Sequence, residues 1–168
     1  IENNSITTKE IILPGTTDTN HLGYQPSSKE ETTHLTRLFE YRGKAKYEHD
    51  VVIPKTWKNS RPTLFLERTK PTQVYLDNVY IGSSNDISTP QRYILPIKKP
   101  GLHHITIIVD NASGVPQQIY GNSHAYAEDT QTNWNGIIGQ IYIEAENAKE
   151  ETTNTSNGEI KDCFKDFH

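Results

Sequence analysis

The sequence holds one cysteine, Cys163, and no methionine. A lone cysteine excludes an intrachain disulfide and a cysteine-built zinc cluster, and it leaves the redox compartment unread. No apolar run approaches the ~18 residues a membrane helix needs, and the N-terminus lacks both a basic and an apolar leader region. The chain therefore reads as soluble, with no membrane partner. A start at Ile1 without methionine reads as a fragment or a processed product, so localisation stays unknown from the residues themselves. Charge of one sign is also scarce. With 17 basic and 21 acidic residues the net charge is -4, and no Lys/Arg stripe is present to hold a phosphate backbone, so nucleic acid is not an expected partner.

The hydrophobic fraction is low, 33%, which raises disorder as a possibility. The mixed signs of charge and a supply of nine Tyr and two Trp argue for a folded chain instead. At 168 residues the length suits one domain with one core.

Period-2 alternation organises the middle. Tyr41, Gly43, Ala45, Tyr47, His49, Val51 and Ile53 alternate with Arg42, Lys44, Lys46, Glu48 and Asp50, which predicts a strand with one face on the core and one in water. After Pro54 a polar turn carries Trp57, and Thr63 to Arg68 predicts the next strand. Gln73 to Leu76 and Val79 to Ile81 flank Asp77-Asn78, the spacing of a two-residue hairpin. Further strands are expected at Arg92 to Ile97, Leu102 to Asp110 and Gly136 to Glu144. Helical periodicity is absent. Many short strands without βαβ alternation predict an all-β antiparallel sandwich or barrel.

The ends differ. Residues 1–33 combine one possible strand, Glu10 to Leu13, with a long polar loop that reads as wrapping the sandwich edge. Residues 1–145 form the expected sandwich domain. Residues 146–168 read as a polar tail or linker, because Glu, Asn, Thr, Ser and Lys bury too little apolar surface to offset their ordering entropy. Within it, Phe164 and Phe167 leave open a short docked edge element.

Candidate binding residues concentrate in 122–135. His124, Tyr126, Asp129, Asn133, Trp134 and Asn135 combine aromatic rings with donors and acceptors, the mixture that stacks on a pyranose and pairs with its hydroxyls. The competing reading has Trp134 filling the core while the polar residues close a turn. Ser123, His124 and Asp129 supply the residue types of a nucleophilic triad, but adjacency is not its geometry. His103 and His104 alternate on one strand and cannot chelate together. No metal ligand set and no cofactor motif is readable. Trp57 favours packing over stacking. Asn3, Asn111 and Asn154 each begin a glycosylation-acceptor tripeptide, a pattern common by chance.

Several ordered motifs resemble the N-terminal sugar-binding domain of family 2 glycoside hydrolases. They are Ile12-Leu13-Pro14-Gly15-Thr16-Thr17-Asp18, Tyr41-Arg42-Gly43-Lys44-Ala45-Lys46-Tyr47, Ile53-Pro54 followed by Trp57, Val74 to Gly82, Pro100 to Ile105, and Asn133-Trp134-Asn135-Gly136-Ile137. Asp77-Asn78 stands where that family usually has Asn-Gly, and Ile138 and Gly139 stand where an aromatic and an Arg are frequent. The resemblance implies a jelly-roll sandwich like galactose-binding domains, and a non-catalytic module of a β-galactosidase- or β-glucuronidase-like enzyme. Its partners would be carbohydrate, the catalytic domain of a glycosidase, or both, and export would be the favoured localisation. The loop before the last strand would face the active site of the intact enzyme, with Asp129 or His124 at its edge. The two catalytic glutamates belong to a barrel for which this chain has no room. A stand-alone structural or adhesion sandwich that contacts protein is the alternative.

Overall fold

In the computed structural model, residues 8–24, 37–113, 133–147 and 158–161 are described. Ten strands run through them: β1 Gly15–Thr16, β2 Lys44–Ile53, β3 Ser60–Leu66, β4 Thr72–Leu76, β5 Val79–Ser84, β6 Gln91–Ile94, β7 Gly101–Asp110, β8 Gly136–Ile137, β9 Ile141–Asn147 and β10 Gly158–Lys161. Two four-stranded antiparallel sheets, β2-β7-β4-β5 and β10-β9-β3-β6, make the β-sandwich, and β1 pairs with β8. No helix among the described residues is long and apolar enough to cross a membrane.

Alternation places the core as expected. Tyr47, Val51 and Ile53 of β2 face inward with Ile105, Ile107 and Val109 of β7, and meet Leu64, Leu66, Ile141 and Ile143 of the opposite sheet. The charged set of β2 stays exposed. The Asp77-Asn78 turn has φ of 50° and 66°, the two positive angles of a type I′ hairpin, a region that Asp and Asn tolerate better than other side chains. Trp57 sits on a single 3₁₀ turn, Lys55–Trp57, and packs into the core with 8% of its surface exposed.

Several boundaries differ from the sequence reading, among them the strand expected from Arg92 to Ile97, which runs Gln91–Ile94, and the one expected from Val79 to Ile81, which continues to Ser84. The alternating stretch begins its ladder at Lys44 rather than Tyr41, because Gly43 takes φ 148°. Glu10 to Leu13 forms no strand. Instead Leu13 enters the core, and the N-terminal segment pairs at Gly15–Thr16. The expected strand from Gly136 to Glu144 is two strands, since Ile138 and Gly139 turn aside to donate their N–H groups to the Arg68 and Glu67 carbonyls. The strand expected from Thr63 starts at Ser60 and ends at Leu66. Beyond residue 147, Gly158–Lys161 pairs with β9 as an edge strand. Phe164 and Phe167 lie outside the described residues.

Candidate functional site

The site is built on a buried polar knot at one end of the sandwich. Asn135 is fully enclosed. Its Nδ2 donates to the carbonyls of Gly43 (3.1 Å) and Val109 (2.9 Å), and its Oδ1 accepts from the Tyr47 hydroxyl at 2.7 Å. Asn111, equally enclosed, donates from Nδ2 to the Tyr41 carbonyl at 2.7 Å and accepts the Gly43 N–H on Oδ1 at 2.9 Å. The two side chains also meet each other, Asn135 Nδ2 to Asn111 Oδ1, at 3.4 Å. Burial, with Tyr41 nearby, pushes the Tyr47 phenol well above its ordinary range, so it stays a donor to Asn135.

This knot ties together the residues that flank 114–132. Asp110 accepts the N–H groups of Ala112 (2.9 Å) and Ser113 (2.8 Å), which fixes the outgoing side, and the Asn135 carbonyl accepts from Thr17 N–H at 2.8 Å on the returning side. The flanks of 25–36 are tied in a similar way. Tyr24 and Glu40 exchange both backbone hydrogen bonds, at 2.7 and 2.8 Å, and Asp18 Oδ1 accepts from Phe39 N–H.

Lys70 joins the two. It lies in the link between β3 and β4, is 2% exposed, and places its ammonium 4.5 Å from the centre of the Trp134 ring. Burial lowers its pKa to about 8, with the charge of Arg37 as the second cause. Arg37, Lys70 and Trp134 thus occupy one end of the molecule.

Among the six candidate residues, His124, Tyr126 and Asp129 lie outside the described residues. Asn133 and Asn135 have no exposed surface, and the Asn135 amide is taken up by Gly43, Val109 and Tyr47. Trp134 is partly buried, with the Lys70 ammonium over its ring. His103 and His104 meet different partners, Asp77 Oδ2 at 2.7 Å and Asp50 Oδ1 at 2.6 Å, in line with their alternation. Among the described residues no group of three or more His, Cys, Asp or Glu is placed to hold a metal ion. The tripeptide beginning at Asn111 offers a side chain that is already enclosed and bonded, so it is no acceptor in the folded chain. Sequence reasoning missed Lys70. It sits in Arg68-Thr69-Lys70-Pro71, which reads as a solvated turn, and no pattern there distinguishes a buried lysine from an exposed one.

Neither a family model nor a curated protein matches the sequence. Solved structures do. A calcium-binding mutant of β-glucuronidase 2 from Bacteroides uniformis superposes on 82% of this chain with a TM-score of 0.56 and 21% identity. This chain has the fold of part of a β-glucuronidase. It spans 14% of that enzyme's length. The apo β-glucuronidase of Ruminococcus gnavus and the β-D-glucuronidase of Dictyoglomus thermophilum each align with 42% of the chain, at 23% and 22% identity, over 12% and 13% of their own lengths and with TM-scores of 0.39. The sandwich expected from the motif resemblance is therefore the fold found in one such enzyme.

Proposed function

We propose that this chain is a non-catalytic carbohydrate-binding or accessory module of a family 2 glycoside hydrolase, active in glycan breakdown. The end carrying Trp134 is the face it turns toward saccharide or toward the catalytic domain. The observation that carries this reading is the placement of Trp134. It is the one candidate aromatic among the described residues, it is partly exposed, and it is mounted between two enclosed asparagines on a hydrogen-bonded base. A pyranose presents C–H groups to such a ring and needs it held still, since a platform ordered only on binding forfeits affinity. The fold shared with a β-glucuronidase supports the glycosidase setting, and residues 1–145 would be the module that meets it.

Calorimetric titration of the 168-residue chain with galactosides, glucuronides and plant or host polysaccharides tests this. Binding is expected for at least one class, weakened about tenfold or more by Trp134→Ala, the loss of one stacking contact. Silence across the panel would leave the adhesion or scaffold reading. Chromogenic glycosides and esters should show no turnover. Turnover abolished by Asp129→Ala or His124→Ala would make the chain a hydrolase.

A further inference from the structure

The sheet β2-β7-β4-β5 ends on β2, a strand of ten residues that pairs with β7 in one unbroken register. The other edges are blunter. The β4–β5 ladder carries a bulge between Val74 and Tyr75, and β6 and β10 have four residues each.

The neighbours of β2 show which of its backbone groups face outward. Asp110, opposite Lys44, turns its N–H away to the Pro71 carbonyl at 2.9 Å, and the Lys44 carbonyl accepts from the Tyr41 hydroxyl at 2.6 Å. Lys44 therefore points its backbone away from β7. Backbone groups alternate in direction along a strand, so those of Lys46, Glu48, Asp50 and Val52 point outward as well. Among the described residues no backbone partner meets Lys46, Glu48, Asp50 or Val52 on that side. Their side chains are exposed on the outer face of the sheet.

An open edge is a template for another strand, and lysines on it ordinarily repel one. Here Lys44 and Lys46 are followed at the same spacing by Glu48 and Asp50. Turned end for end about Tyr47, this series meets its own complement. Lys46 faces Glu48 of the second copy and Lys44 faces its Asp50, each contact occurring twice by symmetry. Both contacts join outward-pointing residues, so Lys46 and Glu48 can exchange backbone hydrogen bonds across the axis. Sliding the second strand by two residues sets Glu48 against Glu48 in one direction and Lys46 against Lys46 in the other. Like charges directly opposite disfavour both slides.

We propose that β2 is a self-docking edge, on which a second copy of this chain adds its own β2, antiparallel about Tyr47, and continues the sheet. The Tyr41 hydroxyl on the Lys44 carbonyl closes the ladder at each end. Opposite charges select the partner and the register, and the outward N–H and C=O groups supply the bonds.

The test uses the full chain in low-salt reducing buffer, so that Cys163 cannot link two copies. Sedimentation equilibrium should show a dimer that grows with concentration, and amide exchange at Lys46 and Glu48 should slow as it forms. Lys46→Glu and Glu48→Lys should each weaken the dimer about tenfold or more, because each sets like charges in direct opposition. Both side chains are exposed, so melting should stay close to that of the unaltered chain. An equimolar mixture of the two variants should dimerise again, since each then meets its complement. An unaltered chain that stays monomeric at every concentration overturns the proposal, and protected Lys46 and Glu48 amides in that monomer would assign the edge to a strand of the same chain. A dimer that neither substitution weakens, or that the mixture does not restore, also overturns it, because the copies then meet through another surface.

Discussion

Asn135 illustrates how one amide can serve a whole end of the molecule. Its side chain satisfies two carbonyls and a tyrosine hydroxyl, the bonds to Val109 and Tyr47 buried and the one to Gly43 partly so. Asn135→Ala takes away the partner of the buried Tyr47 hydroxyl and a donor from the Val109 and Gly43 carbonyls, the latter keeping the Asn111 N–H, so a loss of about 2–4 kcal/mol is expected from urea unfolding. Tyr47→Phe removes the partner hydroxyl and should cost less, and the double variant should fall short of the sum because the two share one hydrogen bond. A strictly additive pair would mean that the 2.7 Å contact contributes nothing. The sequence made residue types legible here but not their roles. Asn133 and Asn135 read as sugar contacts because loops are polar, yet Asn135 lies 88 positions from the hydroxyl it binds, and no local pattern encodes a partner that distant. Trp57 was legible as a packing residue because it follows a strand-ending proline. Lys70 was not legible, since its burial is decided by tertiary neighbours.

At the scale of elements, strands were the readable part. Period 2 in β2 survives in the structure as buried Tyr47, Val51 and Ile53 against exposed Lys46, Glu48 and Asp50, because a slip of one residue would turn every apolar side chain to water. The β8–β9 break was not readable, since it depends on the bonds from Ile138 and Gly139 to the distant Arg68 and Glu67 carbonyls, and neither was the close approach of β8 to β1. Gly136 has φ 148°, and a Cβ there would stand 2.2 Å from the Gly15 carbonyl oxygen. Gly136→Ala therefore combines backbone strain with a clash against backbone atoms of Gly15 and Thr16 in β1, which no side-chain movement relieves. The expected result is a loss of about 2–4 kcal/mol. Amide exchange should also accelerate selectively at residues 15–17, while β2, β7 and β4 keep their protection. Uniform acceleration through all the strands would show that β1 is not a separable attachment.

For the whole molecule, the charges define a stability profile with a distinctive shape. The carboxyls of Asp86, bonded by Thr89 and Ser88, and of Asp110, where Ser113 and backbone bonds outweigh burial, lie below their ordinary range. Groups of that kind contribute stability that is lost as pH falls below about 4. His104 is raised by its Asp50 hydrogen bond, and His103 is raised because bonds to Asp77 and the Lys99 carbonyl outweigh its burial. Their contribution is complete below about pH 6.5 and lost as pH climbs through the folded values, and it is shallow because His104 and the carboxylates are exposed. Lys70 acts with the opposite sign. Its folded pKa of about 8 lies below the unfolded value, so between these the unfolded chain binds more protons and stability rises with pH. Above about pH 10 the phenols of buried Tyr47 and Tyr93 and of half-buried Tyr41, all raised chiefly by burial, ionise first in the unfolded chain and stability falls again. Urea unfolding at low salt from pH 4 to 10.5 should therefore show a shallow decline on leaving pH 6, a recovery above pH 8, and a final fall. Lys70→Met should abolish the recovery and Asp50→Asn should lessen the decline, to which His103 beside Asp77 still contributes, each leaving the other limb intact. A recovery that persists in Lys70→Met would mean that the rise belongs to some other group and that Lys70 is not the buried charge the fold carries.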